Sequence, residues 1–314
     1  MLKIFAAEDN RIDELDRIQP GSWVALTNPS QDELDRVKAV TKIDMDALKA
    51  ALDEEERSRI EAEDEYQMVI ADIPVIEEDE DTVSYFTIPM SVIITENYVV
   101  TVCLRETPIL TAFMHGRVKN FYTRMKTRFI FQILYRNASL FLQYLRSIER
   151  RSEIIEKKLG ENATNDEIIQ LLELEKSLLY FTTSLKSNEI VLEKLLKTDA
   201  IKKYPEDTDL LEDVIIENKQ AIEMAGIYTG ILSDTRDAFA SVSSNNLNNV
   251  MRFLAVVTIV MSIPTMIFSA YGMNLNQKGM PFADSPWGFA IIIGLCIVVS
   301  MAIALLFSKK KFFK

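Results

Sequence analysis

Eight positions in the last quarter of the chain, spaced alternately by three and four, read Asn248, Met251, Ala255, Thr258, Ser262, Thr265, Ser269 and Gly272, and five of them carry polar oxygens suited to contact with a hydrated ion. This spacing puts them on one face of a helix with a seven-residue repeat. Every hydroxyl between Phe253 and Ala270 falls on that face, and the other positions are almost all Phe, Leu, Val, Ile and Met. The face has no carboxylate, so it cannot hold a bare divalent ion tightly. Its oxygens can instead hydrogen-bond to the water shell of a hydrated one, and Mg²⁺ in particular gives up its waters reluctantly. One such helix cannot enclose a path, so a water-filled route needs several copies. The same pattern also suits a small-residue face for close packing of membrane helices, and the residues alone leave both readings open.

Acids form the second group. Asp207, Asp209, Glu212 and Asp213 gather at the start of a long helical stretch. Asp72 and the run Glu77-Glu78-Asp79-Glu80-Asp81 lie in a strand-rich part further upstream. Two facing carboxylates repel, and a divalent ion between them removes the repulsion. The plainer use of acids in a first turn is to complement the helix dipole.

Other chemistries have little to build with. His115 is the only histidine, and no Gly-x-x-x-x-Gly-Lys-[Ser/Thr] loop occurs. A His-based zinc site, a catalytic triad and a P-loop pump are therefore not expected, and neither is an enzyme. Cys103 and Cys296 lie in unlike surroundings and read as buried thiols in a reducing compartment.

The elements that must position these residues begin with two apolar runs. No charge occurs from Phe253 to Gln277 or from Ser285 to Ser308. Nineteen residues, Phe253 to Tyr271, cover about 28 Å, close to the hydrocarbon thickness of a bilayer. Spans are expected at about 252–271 and 287–307, with Trp287 as an interfacial anchor. Arg252 precedes the first span, and Lys309-Lys310-Lys311 follow the second. The start of the chain has too short an apolar run for a signal peptide. By the positive-inside rule both termini are expected in the cytosol, and the link Gly272–Pro286 outside.

After position 250 six bases face one acid, a net +5; the preceding residues hold 29 bases and 46 acids, a net −17. An acidic body repels nucleic acid, so none is expected as a partner. Residues 1–120 mix strand-like runs, such as Ser22–Thr27, Tyr66–Ile73, Val83–Pro89, Ser91–Thr95 and Tyr98–Leu104, with a helix capped by Ser30 and Glu33. Asp44 to about Asp64 reads as further helix. From about Thr123 the pattern is helical, first to Leu159, then from Asn165 to Lys197. A third helix opens near Thr208, after Pro205, and shows no obvious end. Residues 210–271 as one helix would span roughly 90 Å, too long for a globular core to enclose. The expectation is an α+β membrane protein: a cytosolic α/β domain (1–120), a region of long helices and stalk (121–250) and a transmembrane domain (251–314), with the stalk continuing into the first of two C-terminal transmembrane helices.

Tyr271-Gly272-Met273-Asn274 at the outer end of the first span, Met280-Pro281 after it and the basic tail make the whole layout resemble the CorA family of magnesium transport proteins. Asn248-Asn249-Val250-Met251 resembles that family's inner pore entrance. The resemblance implies a divalent cation channel or transporter in a cell inner or plasma membrane. It would carry Mg²⁺, with Co²⁺ or Ni²⁺ left open, down the electrochemical gradient. It also implies a homopentamer with five copies of the hydroxyl face around an axis. Gly272, Met273 and Asn274 would form the selectivity ring, where Asn carbonyls meet the ion's waters. Many members have an acid just after Met-Pro. Here Phe282 and Ala283 follow, and Asp284 stands as the candidate for an outer negative ring. By the same resemblance Asp213 is the stalk acid that meets an acid of the neighbouring subunit, with Asp72 or the Glu77–Asp81 run as its partner. Bound Mg²⁺ there would gate the pore. The rival reading is a non-transporting scaffold anchored to the lipid bilayer, or a relative selective for another divalent ion.

Overall fold

The structure is a computed structural model of the chain. It describes residues 1–8, 11–78, 83–161, 165–197, 204–273, 280–282 and 285–309. Two compact units divide the chain, Met1–Arg236 and Asp237–Lys314.

The first unit is built on a seven-stranded sheet. Its strands are β1 (Leu2–Glu8), β2 (Arg11–Glu14), β3 (Trp23–Thr27), β4 (Arg59–Ala62), β5 (Tyr66–Glu78), β6 (Val83–Thr95) and β7 (Val99–Cys103). They lie in the order β2-β1-β3-β7-β6-β5-β4, antiparallel except for the parallel pair β3–β7. The central strands are apolar on both sides, as a sheet covered on both faces requires. One face carries Val24, Leu26, Met68, Ile70, Ile93, Val100 and Val102. These pack on Leu34 and Val37 of α1 (Gln31–Thr41) and on Ala47 and Leu48 of α2 (Met45–Ala50). The expected capping box is present, with Glu33 N–H donating to Ser30 Oγ and Ser30 N–H to the Glu33 carboxylate.

On the opposite face Trp23 is fully buried, its ring 5.1–6.3 Å from those of Phe5, Phe113, Phe121 and Phe129. Each such large side chain contributes about 1.5–3 kcal/mol by leaving water. Phe113 belongs to α3 (Pro108–Met114), and Phe129 to α4 (Lys126–Glu161). α5 (Asn165–Lys197) packs beside α4 against β5 and β6.

Three expectations are corrected. Asp44–Asp64 is not one helix: α2 ends at Ala50, and Arg59–Ala62 pairs with β5 as an edge strand. Val83–Pro89 and Ser91–Thr95 form a single strand that contains Pro89. Pro89 lies opposite Asp72, whose N–H and C=O turn away from β6. The missing proline N–H therefore falls on the β7 side, where pairing stops at Met90–Cys103, and breaks no ladder bond. Pro205 does not precede the third helix, which opens before Thr208. It is the first residue of α6 (Pro205–Tyr271), a position that suits a residue without an N–H.

α6 contributes to both units. Within the first it is tied to α5 by Asn218 Nδ2, which donates to the Leu185 carbonyl at 3.1 Å, and by Arg236 with Glu175 at 2.8 Å. It is tied to α4 by the Tyr228 hydroxyl, which donates to Glu149 at 2.7 Å; burial and that carboxylate push the phenol up to about 12. The second unit holds the rest of α6 and α7 (Gly288–Lys309), both long and apolar enough to cross a membrane.

Candidate functional site

The part of α6 in the second unit carries the face expected from the spacing. Asn248, Met251, Ala255, Thr258, Ser262, Thr265 and Ser269 are all exposed in the single chain. Thr258, Ser262, Thr265 and Ser269 share one shallow groove of about 690 Å³ with Val257, Met261 and Met266. The hydroxyl protons turn inward. Thr258 Oγ1 donates to the Leu254 carbonyl at 2.8 Å, Ser262 Oγ to Ile259 at 2.9 Å and Thr265 Oγ1 to Met261 at 2.9 Å. With the proton spent on the helix backbone, each of these oxygens offers lone pairs to the groove. Such a surface accepts hydrogen bonds from the water around a cation and gives an anion little to bind. Pro264 sits inside the helix, away from this face, and leaves the Val260 carbonyl without its N–H partner.

At the end of α6, Gly272 N–H still donates to the Phe268 carbonyl at 2.9 Å, and both Gly272 and Met273 are exposed. Asn274 and Asp284 lie outside the described residues. The link between the helices is framed by contacts that sequence reasoning missed. The Tyr271 hydroxyl donates to the Pro281 carbonyl at 2.7 Å and joins the two ends of the segment that holds Asn274. Phe282 adopts a left-handed conformation (φ 64). Gly288, the first residue of α7, allows the Phe282 carbonyl to approach so closely that a Cβ there would collide with it.

The acids divide by environment. Asp72 is half-buried on β5, and burial raises its carboxyl above the ordinary value, opposed by hydrogen bonds from Ser184 and Ser58. Its backbone is held from the helices: Asn137 on α4 and Asn188 on α5 both donate to its carbonyl at 2.8 Å. Asp213 is exposed on α6 and, with Glu217, adds to the burial that raises the Tyr135 phenol. Asp207 is used within the chain. It is buried, 3.5 Å from Arg128, and its carboxyl is raised by burial against the pull of that guanidinium. Glu77 pairs with Arg105 at 3.0 Å, and 79–81 fall outside the described residues. Among the described residues no three His, Cys, Asp or Glu side chains of one chain gather as a metal site.

The remaining candidates are structural. Exposed His115 bonds through Nδ1 to the Thr111 carbonyl at 2.8 Å. Cys103 is free and buried, and burial pushes its thiol up to about 11, out of reach of ordinary thiolate chemistry.

Comparison with known proteins agrees with this layout. The cobalt/magnesium transport protein CorA of Methanocaldococcus jannaschii is 26% identical over 296 residues, 91% of this chain and 90% of that protein. The protein of the same description from Thermotoga maritima is 23% identical over 167 residues, 53% of this chain and 47% of that one. The complete structure of the CorA magnesium transporter from M. jannaschii superposes with a TM-score of 0.85 at 24% identity, over 99% of this chain and 98% of that one. The family described as CorA-like Mg²⁺ transporter protein matches residues 19–311, most of the chain, and the chain belongs to that family.

Proposed function

We propose that this chain passes divalent cations, Mg²⁺ first among them, down their electrochemical gradient through a pore lined by several copies of α6. The observation that carries the reading is the groove of Thr258, Ser262, Thr265 and Ser269, three of whose hydroxyl protons are spent on the backbone. A hydrated cation donates hydrogen bonds outward and meets acceptors there, so it moves without losing its waters. A membrane potential of 100 mV supplies about 4.6 kcal/mol for a doubly charged ion. Cobalt appears beside magnesium in the description of a relative that matches nearly the whole chain, which keeps Co²⁺ as a second cargo.

The pore is a homopentamer with both termini in the cytosol. Asn248 and Met251 line its inner entrance, and Gly272, Met273 and Asn274 form the outer ring that meets the ion's water shell. Asp284 adds negative charge outside. Asp213, facing Asp72 or its neighbours on an adjacent subunit, holds a regulatory Mg²⁺ that favours the closed state. At ten times its Kd each such ion stabilises the conformation that binds it by about 1.4 kcal/mol.

Flux of Mg²⁺ into liposomes that contain the purified protein tests the reading. The expected result is uptake driven by an inside-negative potential, absent from protein-free vesicles. Correctly assembled protein with no flux of Mg²⁺ or Co²⁺ would leave the membrane-anchored scaffold.

A further inference from the structure

The first unit contains a cavity that ion passage does not use. It has a volume of about 930 Å³ and lies where the start of α4, the β4–β5 and β6–β7 turns and the start of α6 meet. That size suits a small molecule.

The floor of the cavity is basic. α4 begins with Lys126, Thr127 and Arg128 and has no acid in its first turn, and Arg124 precedes it by two residues. From Thr107 to Ile148 the sequence has seven Lys or Arg and no Asp or Glu, within a body that is otherwise acidic. Cations at the start of a helix oppose its dipole, and an anion among them reverses that penalty. Arg128 gives an independent sign. Its Nε–H is buried with no acceptor, and its Nη1 reaches Asp207 only at 3.5 Å. A buried donor left unmade is costly, and an anionic oxygen supplies what is missing. Lys126 Nζ donates to the Thr95 and Glu96 carbonyls at 2.8 and 2.6 Å, which leaves its third proton for a ligand.

The rim differs from the floor. Glu63, Asp64, Glu65, Glu96 and Glu206 line it and are exposed. A bare anion is repelled there, whereas an anion that carries a divalent ion matches both charges. Tyr66, Tyr98 and Tyr204 complete the wall with aromatic surface.

We propose that this cavity binds a magnesium-bound polyphosphate, with the phosphates on Arg128 and Lys126 and the metal's waters toward the acidic rim. A nucleoside triphosphate and inorganic triphosphate share this chemistry. The site lies in the soluble unit, so the proposal stands or falls apart from ion passage.

Calorimetric titration of the purified full-length protein in detergent tests it, with Mg·ATP, Mg·triphosphate and adenosine as probes. The expected result is one saturable Mg·ATP site per chain, weakened about tenfold or more by Arg128→Gln through loss of a charge-assisted contact. Arg124→Gln, at an exposed position that leaves the Arg128–Asp207 pair intact, weakens it as well and covers the case in which Arg128→Gln misfolds. Arg136→Gln, in the same acid-free stretch but away from the cavity, leaves it unchanged. Triphosphate binding as tightly as ATP assigns the site to polyphosphate itself, and tighter ATP assigns it to the nucleotide. No saturable heat, equal loss with Arg136→Gln, or tighter binding after Mg²⁺ is chelated overturns the proposal.

Discussion

Asn188 pairs with Asp72 through both edges of its carboxamide: Oδ1 accepts the Asp72 N–H at 2.9 Å, and Nδ2 donates to the Asp72 carbonyl at 2.8 Å. It stands where another residue of β4 would, because pairing between β4 and β5 stops at Arg59–Ile70. A side chain from α5 thus completes the sheet edge. Asn188 is 4% exposed, so Asn188→Leu strands a backbone N–H away from water. The expected loss is about 2–3 kcal/mol of stability, read as a lower thermal transition of the full chain in detergent. Asn137→Leu should cost less, because the Asp72 carbonyl then keeps Asn188. The reverse order would remove Asn188 from this role.

Asp72 itself should make stability depend on pH. Its carboxyl is raised above 3.8, chiefly by burial, so the folded chain holds this proton more tightly than the unfolded chain does. Its stabilising contribution is therefore full below the unfolded value and is lost as pH rises through the folded one. Asp72→Asn, which keeps one acceptor and carries no charge, is expected to melt above wild type at about pH 7, with the gap narrowing toward about pH 4. Melts in Mg²⁺-free buffer across that range check it, and a gap that widens toward acid would give the shift the opposite sign.

The hydroxyl face predicts a pattern of access. Single cysteines at Thr258, Ser262, Thr265 and Ser269 should react with water-soluble thiol reagents in the assembled protein. Cysteines at Val256, Ile259 and Val260 should react slowly. Cys296, buried in the second unit, is replaced by Ala as background. Equal rates on both faces would assign the stripe to helix packing.

The link between the membrane helices predicts graded losses of flux. Asn274→Ala should abolish Mg²⁺ uptake while the oligomer stays assembled. Tyr271→Phe removes the 2.7 Å bond to Pro281, worth about 1 kcal/mol, and should lower uptake severalfold. Gly288→Ala forces the Phe282 carbonyl away and should impair uptake more than Gly294→Ala, whose added Cβ meets open space. Near-normal uptake by assembled Asn274→Ala would exclude it from the ion path.

The regulatory proposal predicts that millimolar Mg²⁺ protects the wild-type protein from limited proteolysis and lowers its conductance. Asp213→Asn should weaken both effects and leave basal flux intact. Its exposure argues against a large folding penalty. Full Mg²⁺ protection in that variant would move the sensor elsewhere.

Features carried by local spacing were legible along the chain. The two uncharged runs, the three-four hydroxyl repeat and the Ser30–Glu33 capping box depend on neighbours within a few turns, and the structure reproduces each. Asp44–Asp64 misled because helix-forming residues there are overridden by an edge pairing, Arg59 with Ile70, that no local window contains. Pro89 reads as a break until register sets it opposite Asp72.

The sequence by itself determined the two apolar runs, the acidic body and the helical face on which the hydroxyls of α6 gather, because charge, length and period are properties of the chain in order. Tertiary structure alone decided that Asn137 and Asn188, 65 and 116 residues from Asp72, hold its backbone. It also decided that Arg128 meets Asp207 across 79 residues and that the hydroxyl protons turn inward. Buried polar groups must find partners wherever the fold brings them, and a pairing across that separation leaves no periodic trace in the sequence.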